Sequence, residues 1–316
     1  MTTQINESVY KDQPAVTIES AVIAAQFLPG IGAKMASLRY KPLDLELLVQ
    51  RPGAAYLRQP YDGDYVAGEC SGFDDMFPTI DACFYQSYPW KGTPIPDHGE
   101  VWSLPWQCDV DAGSLHMQTR GVRFPYRIEK WIAFDGERSL QWRYRLTNES
   151  PFAMDFMWAA HMMIVLEEGA EIVLPPGVNH IVNRLSFNGA LGNYGDILDW
   201  PVARLPDGSE RDLSRVRPPS ARDADKYFVK GRMPAGWCAL TYPRSGLTLT
   251  VSFSNDTVPY LGILLNEGGW GDLYNIFIEP CTASFDDLNV AKTRGECSTV
   301  AAGGVYEWTL GIQYDA

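Results

Sequence analysis

Histidine is scarce in this chain: 316 residues contain four, at positions 98, 116, 161 and 180. Histidine chemistry must therefore come from very few places. The six cysteines (Cys70, Cys83, Cys108, Cys238, Cys281 and Cys297) are scattered and form no CxxC pair, so they do not read as a zinc site. Positive charge is also short. Against 39 Asp and Glu stand 26 Lys and Arg, a formal net charge of −13. A nucleic-acid binder needs a positive face, so no such partner is expected. No apolar run reaches the ~20 residues that a membrane-spanning helix requires, so no membrane partner is expected either. The opening "MTTQINESVYKDQPAV" lacks the basic start and apolar stretch of an export signal. The expectation is a cytoplasmic protein with reduced thiols. No glycine-rich phosphate loop and no metal-ligand cluster stands out, so no cofactor and no metal are expected.

Hydrophobic residues, in contrast, make up 46% of the chain and aromatics 12%, enough for a large core. Strict two-residue alternation dominates. In "SLQWRYRLTN", Leu140, Trp142, Tyr144 and Leu146 share one face. Leu247, Leu249, Val251 and Phe253 do the same in "GLTLTVSFS", as do Tyr306, Trp308, Leu310 and Ile312 in "VYEWTLGIQ". "YRIEKWIAF" and "LQWRYRL" flank the turn-like "DGERS" and read as a hairpin. No long segment has helical periodicity, so helices should be few and short. The pattern predicts an all-β fold, a large antiparallel β-sandwich, with residues 1–316 forming a single domain. Residues 1–15 read as a polar lead-in strand or tail. Residues 186–225, rich in Gly, Pro, Asp and Arg, read as one long excursion forming a rim or lid.

Three positions carry candidate chemistry. Glu279 is the one carboxylate of the apolar strand "YNIFIEP", placed just before Pro280, where pairing should end. Partial desolvation there raises its proton affinity and makes it a usable base; a strand-end glutamate facing water has the same sequence. His161 lies within the apolar "MWAAHMMIV" and needs a partner if buried; a core histidine bonded to a backbone carbonyl also satisfies this. His98 sits in the loop "PDHGEVWSLPW" ahead of Trp102 and Trp106. Indole faces beside polar donors suit sugar rings, although the tryptophans fit the core equally well. His116 and His180 have no supporting context and read as structural.

Taken in order, "GIGAKMASLRYKPLDLELL", "SGFDDMFPTI", "PDHGEVWSLPW", "WAAHMMI", "ADKYFVKG" and "NIFIEPCTASFDDLNVAKTRGE" resemble the aldose 1-epimerase (galactose mutarotase-like) family, from about Ala21 to Ile312. The resemblance implies a large β-supersandwich. It implies Glu279 as catalytic base, His161 as the strand histidine and His98 as the loop histidine. It also implies Asp225 in "ADKYFV" as a sugar-binding aspartate. The chain departs from the family pattern in three places. The loop continues "HGEVW" rather than with a small residue and arginine. Met162, Met163 and Ile164 follow the strand histidine in place of Pro-Tyr-Phe. "SGFDDMFP" stands where a substrate-binding arginine is expected. Asp74 and Asp75 occupy that segment, either as acceptors for sugar hydroxyls or as part of an acidic turn. Carboxylates there disfavour a sugar phosphate.

The activity so implied is interconversion of the α and β anomers of a free sugar by acid–base catalysis. Glu279 would be ionised and His161 protonated, with His98 orienting the substrate and Trp102 contacting it. The partner would be a small-molecule sugar. Two alternatives stand beside it: a non-catalytic carbohydrate-binding or sugar-sensing protein on the same fold, and a different enzyme on the same sandwich.

Overall fold

A computed structural model describes residues 3–51, 53, 55–111 and 113–315. Strand is the dominant regular structure and helix is slight, and the sheets are antiparallel. The larger sheet has twelve strands. Its centre runs Lys34–Tyr40, Phe73–Met76, Ala159–Val165, Tyr274–Cys281, Tyr260–Glu267, Asp223–Val229 and His180–Ser186. The second sheet has eight strands, with Ser139–Asn148 between Tyr126–Phe134 and Val305–Asp315. The one α-helix among the described residues is Leu288–Thr293, capped by the Asp287 carboxylate on the N–H groups of Asn289 and Val290.

The alternating segments form the smaller sheet as expected. Leu140, Trp142, Tyr144 and Leu146 are buried, and so are Leu247, Leu249, Val251 and Phe253. The predicted hairpin pairs Tyr126–Phe134 with Ser139–Asn148. Aromatic pairs join the two sheets face to face. Trp142 packs edge-on against Phe27 at 6.4 Å and Phe73 at 6.0 Å, and Tyr40 meets Tyr314 at 5.7 Å. Central strands of the larger sheet do not alternate. Asp223–Val229 is buried throughout, as is Ala159–Val165 but for its last residue. One face packs on the second sheet. The other is covered by loops, and the polar residues are sealed beneath them.

Of the strand and the tail expected at residues 1–15, the described residues show the strand: Gln4–Tyr10 pairs with Gln13–Glu19 at the edge of the larger sheet. Two other local expectations change. "SGFDDMFP" is no turn, because Phe73–Met76 is a strand paired with Ala159–Val165. Residues 186–225 are not one structureless excursion. They contain Ile197–Asp199, which extends the larger sheet, the hairpin of Val202–Arg204 with Glu210–Asp212, and the start of Asp223–Val229. Arg211 and Arg217 fasten this segment to buried carboxylates of Asp223, Asp225 and Glu267.

Candidate active site

Four adjacent strands bring the candidate residues into a row. Asp74 lies across from His161, and Gly262 lies across from Glu279. The register that pairs Met162 with Ile278 sets His161 opposite Glu279. Cross-strand neighbours share a face and approach within side-chain reach. His161 Nε2 is accordingly 3.7 Å from Glu279 Oε1. More than a hundred residues of chain separate the two, and the sheet joins them.

His98 reaches the same place from its loop. Its own backbone is left-handed (φ 60°), and Gly99 follows at φ 75°. A Cβ at Gly99 would lie 2.1 Å from the carbonyl oxygen of Phe77, so this position demands glycine. The loop is pinned by N–H bonds from His98 to Ile80 and from Glu100 to Phe77. Asp97 Oδ2 holds His98 Nδ1 at 2.7 Å. The His98 ring stacks on Tyr65 at 4.1 Å and stands 5.2 Å from the His161 ring.

Tyr65, His98 and His161 wall a pocket of about 240 Å³. That is a small volume, just below the ~300–1,000 Å³ usual for ligand sites. Tyr65, His98, His161 and Phe277 form one side, and Leu185, Phe187, Leu264 and Trp270 add apolar surface. Its charged groups are paired with one another, although both Glu279 oxygens and Asp286 Oδ1 are buried without a well-directed hydrogen bond. Lys226 Nζ lies 2.8 Å from Glu279 Oε2 and 2.9 Å from Asp286 Oδ1. Arg184 is shared between Asp81 and Asp286. Glu279 itself is fully buried beneath Lys226 and His161.

Burial sets the protonation of the pair. It raises Glu279 above the ordinary carboxylate range, against the pull of Lys226. It pushes His161 well below the ordinary histidine value, helped by the neighbouring His98 and by the charges of Lys226 and Lys34. The expected resting imidazolium at His161 is therefore replaced by a neutral ring. The low-dielectric site and the nearby cations disfavour its charge, although Glu279 Oε1 lies 3.7 Å away.

The other candidates take different places. Asp74 is buried, its Oδ2 3.0 Å from Lys34 Nζ and 3.0 Å from the Tyr65 hydroxyl. Asp75, next in the strand, points to the opposite face, where Lys130 and the Trp158 indole N–H hold it at 2.8 and 2.9 Å. Asp225 stands outside the pocket, paired with Arg211 at 2.7 Å. Trp102 does not line the pocket; it packs edge-on against Tyr65 at 5.1 Å. His116 stacks on Trp131, and His180 faces Asp199; neither reaches the pocket. Lys226, Asp286, Arg184 and Tyr65 are site residues that sequence reasoning missed. Lys226 adjoins Asp225 on one strand, and alternation turns one to the pocket and the other away.

No protein-family model matches this chain, and no curated protein matches it. Solved structures do. A protein from Klebsiella pneumoniae, provisionally assigned as an aldose 1-epimerase, superposes with a TM-score of 0.74 at 12% identity, covering 97% of this chain and 81% of that one. A galactose mutarotase-like protein from Lactobacillus casei gives 0.67 at 17% identity, covering 95% and 100%. Another, from Clostridium acetobutylicum, gives 0.68 at 13%, covering 99% and 98%. The chain has the galactose mutarotase-like fold. In this mutarotase-like sandwich, the face of the larger sheet turned away from the second sheet carries the pocket.

Proposed function

We propose that the protein interconverts the α and β anomers of a free, neutral sugar. The observation that carries this reading is the His161–Glu279 pair, 3.7 Å apart, in which His161 lines a small aromatic-walled pocket and Glu279 lies buried behind it. Ring opening moves the proton of the C1 hydroxyl to one member as the C1–O5 bond breaks. A proton from the other passes to O5. Rotation about C1–C2 and the reverse transfers close the other anomer. The pair must hold one proton in total. Burial raises Glu279 and lowers His161, which moves the preferred seat of that proton from the imidazole towards the carboxyl. The two limbs of a pH profile then belong to the pair rather than to either residue. His98, on the same wall, orients the ring. A neutral substrate fits because Arg184 and Lys226 are already paired with carboxylates, leaving neither cation spare for a phosphate.

The second reading is a carbohydrate-binding protein without turnover. The complete burial of Glu279 beneath Lys226 favours it. One experiment separates the two. Anomeric exchange of neutral aldoses is followed by NMR with and without the protein. Faster exchange, lost in Glu279→Gln, supports the enzyme. Saturable binding with unchanged exchange supports the second reading.

A further inference from the structure

Tyr65 was not a candidate from the sequence, yet it touches more of the site's chemistry than any other aromatic. Its hydroxyl lies 3.0 Å from Asp74 Oδ2 and 3.0 Å from His161 Nδ1. Asp74 is in turn 3.0 Å from Lys34 Nζ, and Lys34 also donates to the Ser71 carbonyl at 2.8 Å. Tyr65, Asp74, Lys34 and His161 are each no more than 4% exposed. The four form one continuous chain of buried polar groups whose Tyr65 and His161 end borders the pocket.

Proton counting fixes the direction of this chain. A phenol has one proton, and here it has two neighbours that could accept it. Burial and the nearby Asp74 charge raise Tyr65 well above its ordinary value, so the phenol keeps that proton. The carboxylate is the stronger acceptor, since a bond to an ionised group is worth roughly twice a neutral one. Burial raises Asp74 above the ordinary carboxylate range, and the Lys34 ammonium 3.0 Å away opposes that rise and favours the ionised form. The phenol therefore donates to Asp74, and its oxygen is left to accept from His161. A neutral imidazole carries one N–H, and that N–H must then be at Nδ1.

We infer that Tyr65 is a positioning residue which, held by Lys34 and Asp74, fixes His161 in its Nδ1–H tautomer and leaves Nε2 as the proton-exchanging atom facing Glu279. The logic is that of a carboxylate orienting a histidine, extended by one phenol. When Nε2 takes a proton, the new imidazolium keeps its Nδ1–H on the Tyr65–Asp74 chain and is partly compensated by it. Removing the hydroxyl frees the ring to adopt the other tautomer, with Nε2–H turned towards Glu279. The groups facing His161 in this balance are Tyr65, Asp74, Lys34, His98, Lys226 and Glu279.

The statement about rate rests on the proposed anomer interconversion; the statement about the tautomer does not. The test uses the full chain labelled with ¹⁵N-histidine. The His161 signals are identified by their loss in His161→Gln, and the tautomer is read from two-bond ¹H–¹⁵N correlations. Wild type should show a protonated Nδ1 and a bare Nε2. Tyr65→Phe keeps the ring on which His98 stacks; its His161 should move towards Nε2–H. In the same variant kcat should fall about tenfold, with KM changed far less and the pH profile displaced. Asp74→Asn should move the tautomer in the same direction. An Nε2–H tautomer in wild type overturns the inference. So does a folded Tyr65→Phe with unchanged tautomer. If wild type shows the Nδ1–H tautomer but no anomeric exchange, the reaction fails and the positioning of His161 stands.

Discussion

Lys226 lowers the proton affinity of both members of the pair, on top of the larger effect of burial. Its ammonium lies 2.8 Å from Glu279, and its charge lowers both Glu279 and His161. Lys226→Met should therefore raise both, and both limbs of the kcat/KM profile should move to higher pH. An unmoved profile, or one moved towards acid, would remove Lys226 from this role. The same change leaves Glu279 and Asp286 buried without their shared cation, at a cost of about 3–5 kcal/mol in stability. Glu279→Gln keeps the shape and removes the proton-exchanging carboxyl of the pair. It should cost ~10²-fold or more in rate while sugar binding survives, which isothermal titration would check. His161 also leaves a mark on folding. Its folded value lies well below the ~6.5 of an unfolded histidine. Between those two values the unfolded chain binds a proton that the native site refuses, so stability falls as pH drops through ~6.5. Urea midpoints at pH 7.5 and 5.5 should show wild type losing up to ~1.4 kcal/mol more than His161→Gln. Parallel losses in the two proteins would mean that the imidazole is not kept neutral by the fold.

At the scale of the element, the site is a row across a sheet rather than a cluster of loops. Asp74, His161, Glu279 and Gly262 are successive cross-strand neighbours, and Phe277 and Leu264 lie two residues along on the same face. Gly262 completes the row by having no side chain. A Cβ there would come within 3.2 Å of Glu279 Oε2 and 3.1 Å of the Phe228 ring. Gly262→Ala should press on the carboxylate, lower turnover and cost about 1–3 kcal/mol. Wild-type activity and melting in that variant would show that the carboxylate has slack. Period-two patterning made the smaller sheet legible, because its strands have one wet face. It said little about the larger sheet, whose central strands are buried on both faces and read as plain apolar runs. The order of motifs singled out His98, His161 and Glu279; His98 and His161 line one pocket, and Glu279 lies buried 3.7 Å behind His161. Asp225 misled for a specific reason: its neighbour Lys226 takes the inward position, and a one-residue difference on a strand reverses the face. Tyr65 was illegible because it lies in an aperiodic loop, and nothing local signals what it packs against.

At the scale of the molecule, the pocket depends on parts of the chain that are far apart. Tyr65 and His98 come from the first third, His161 from the middle and Glu279 from the last part, and the second sheet supports them all from behind. One continuous apolar cluster runs through both sheets, including Phe27, Phe73 and Met163 of the larger and Trp142, Tyr144 and Leu310 of the smaller. We propose that residues 1–316 fold as one unit around that cluster. Trp142 offers the direct test. It is buried on the smaller sheet and packs on Phe27 and Phe73 of the larger. Phe73 adjoins Asp74, so the indole supports the strand that holds the Lys34–Asp74–Tyr65 chain. Trp142→Ala should cost about 3–5 kcal/mol, by lost burial and the cavity left behind. If the sheets are one folding unit, that loss should appear equally in every probe. Far-UV circular dichroism, tryptophan fluorescence and the ¹⁵N-histidine signals of His98 and His161 should vanish at one denaturant midpoint, shifted together from wild type. Histidine signals that outlast the circular dichroism transition, or two separated midpoints, would show that the larger sheet holds its pocket without the smaller one.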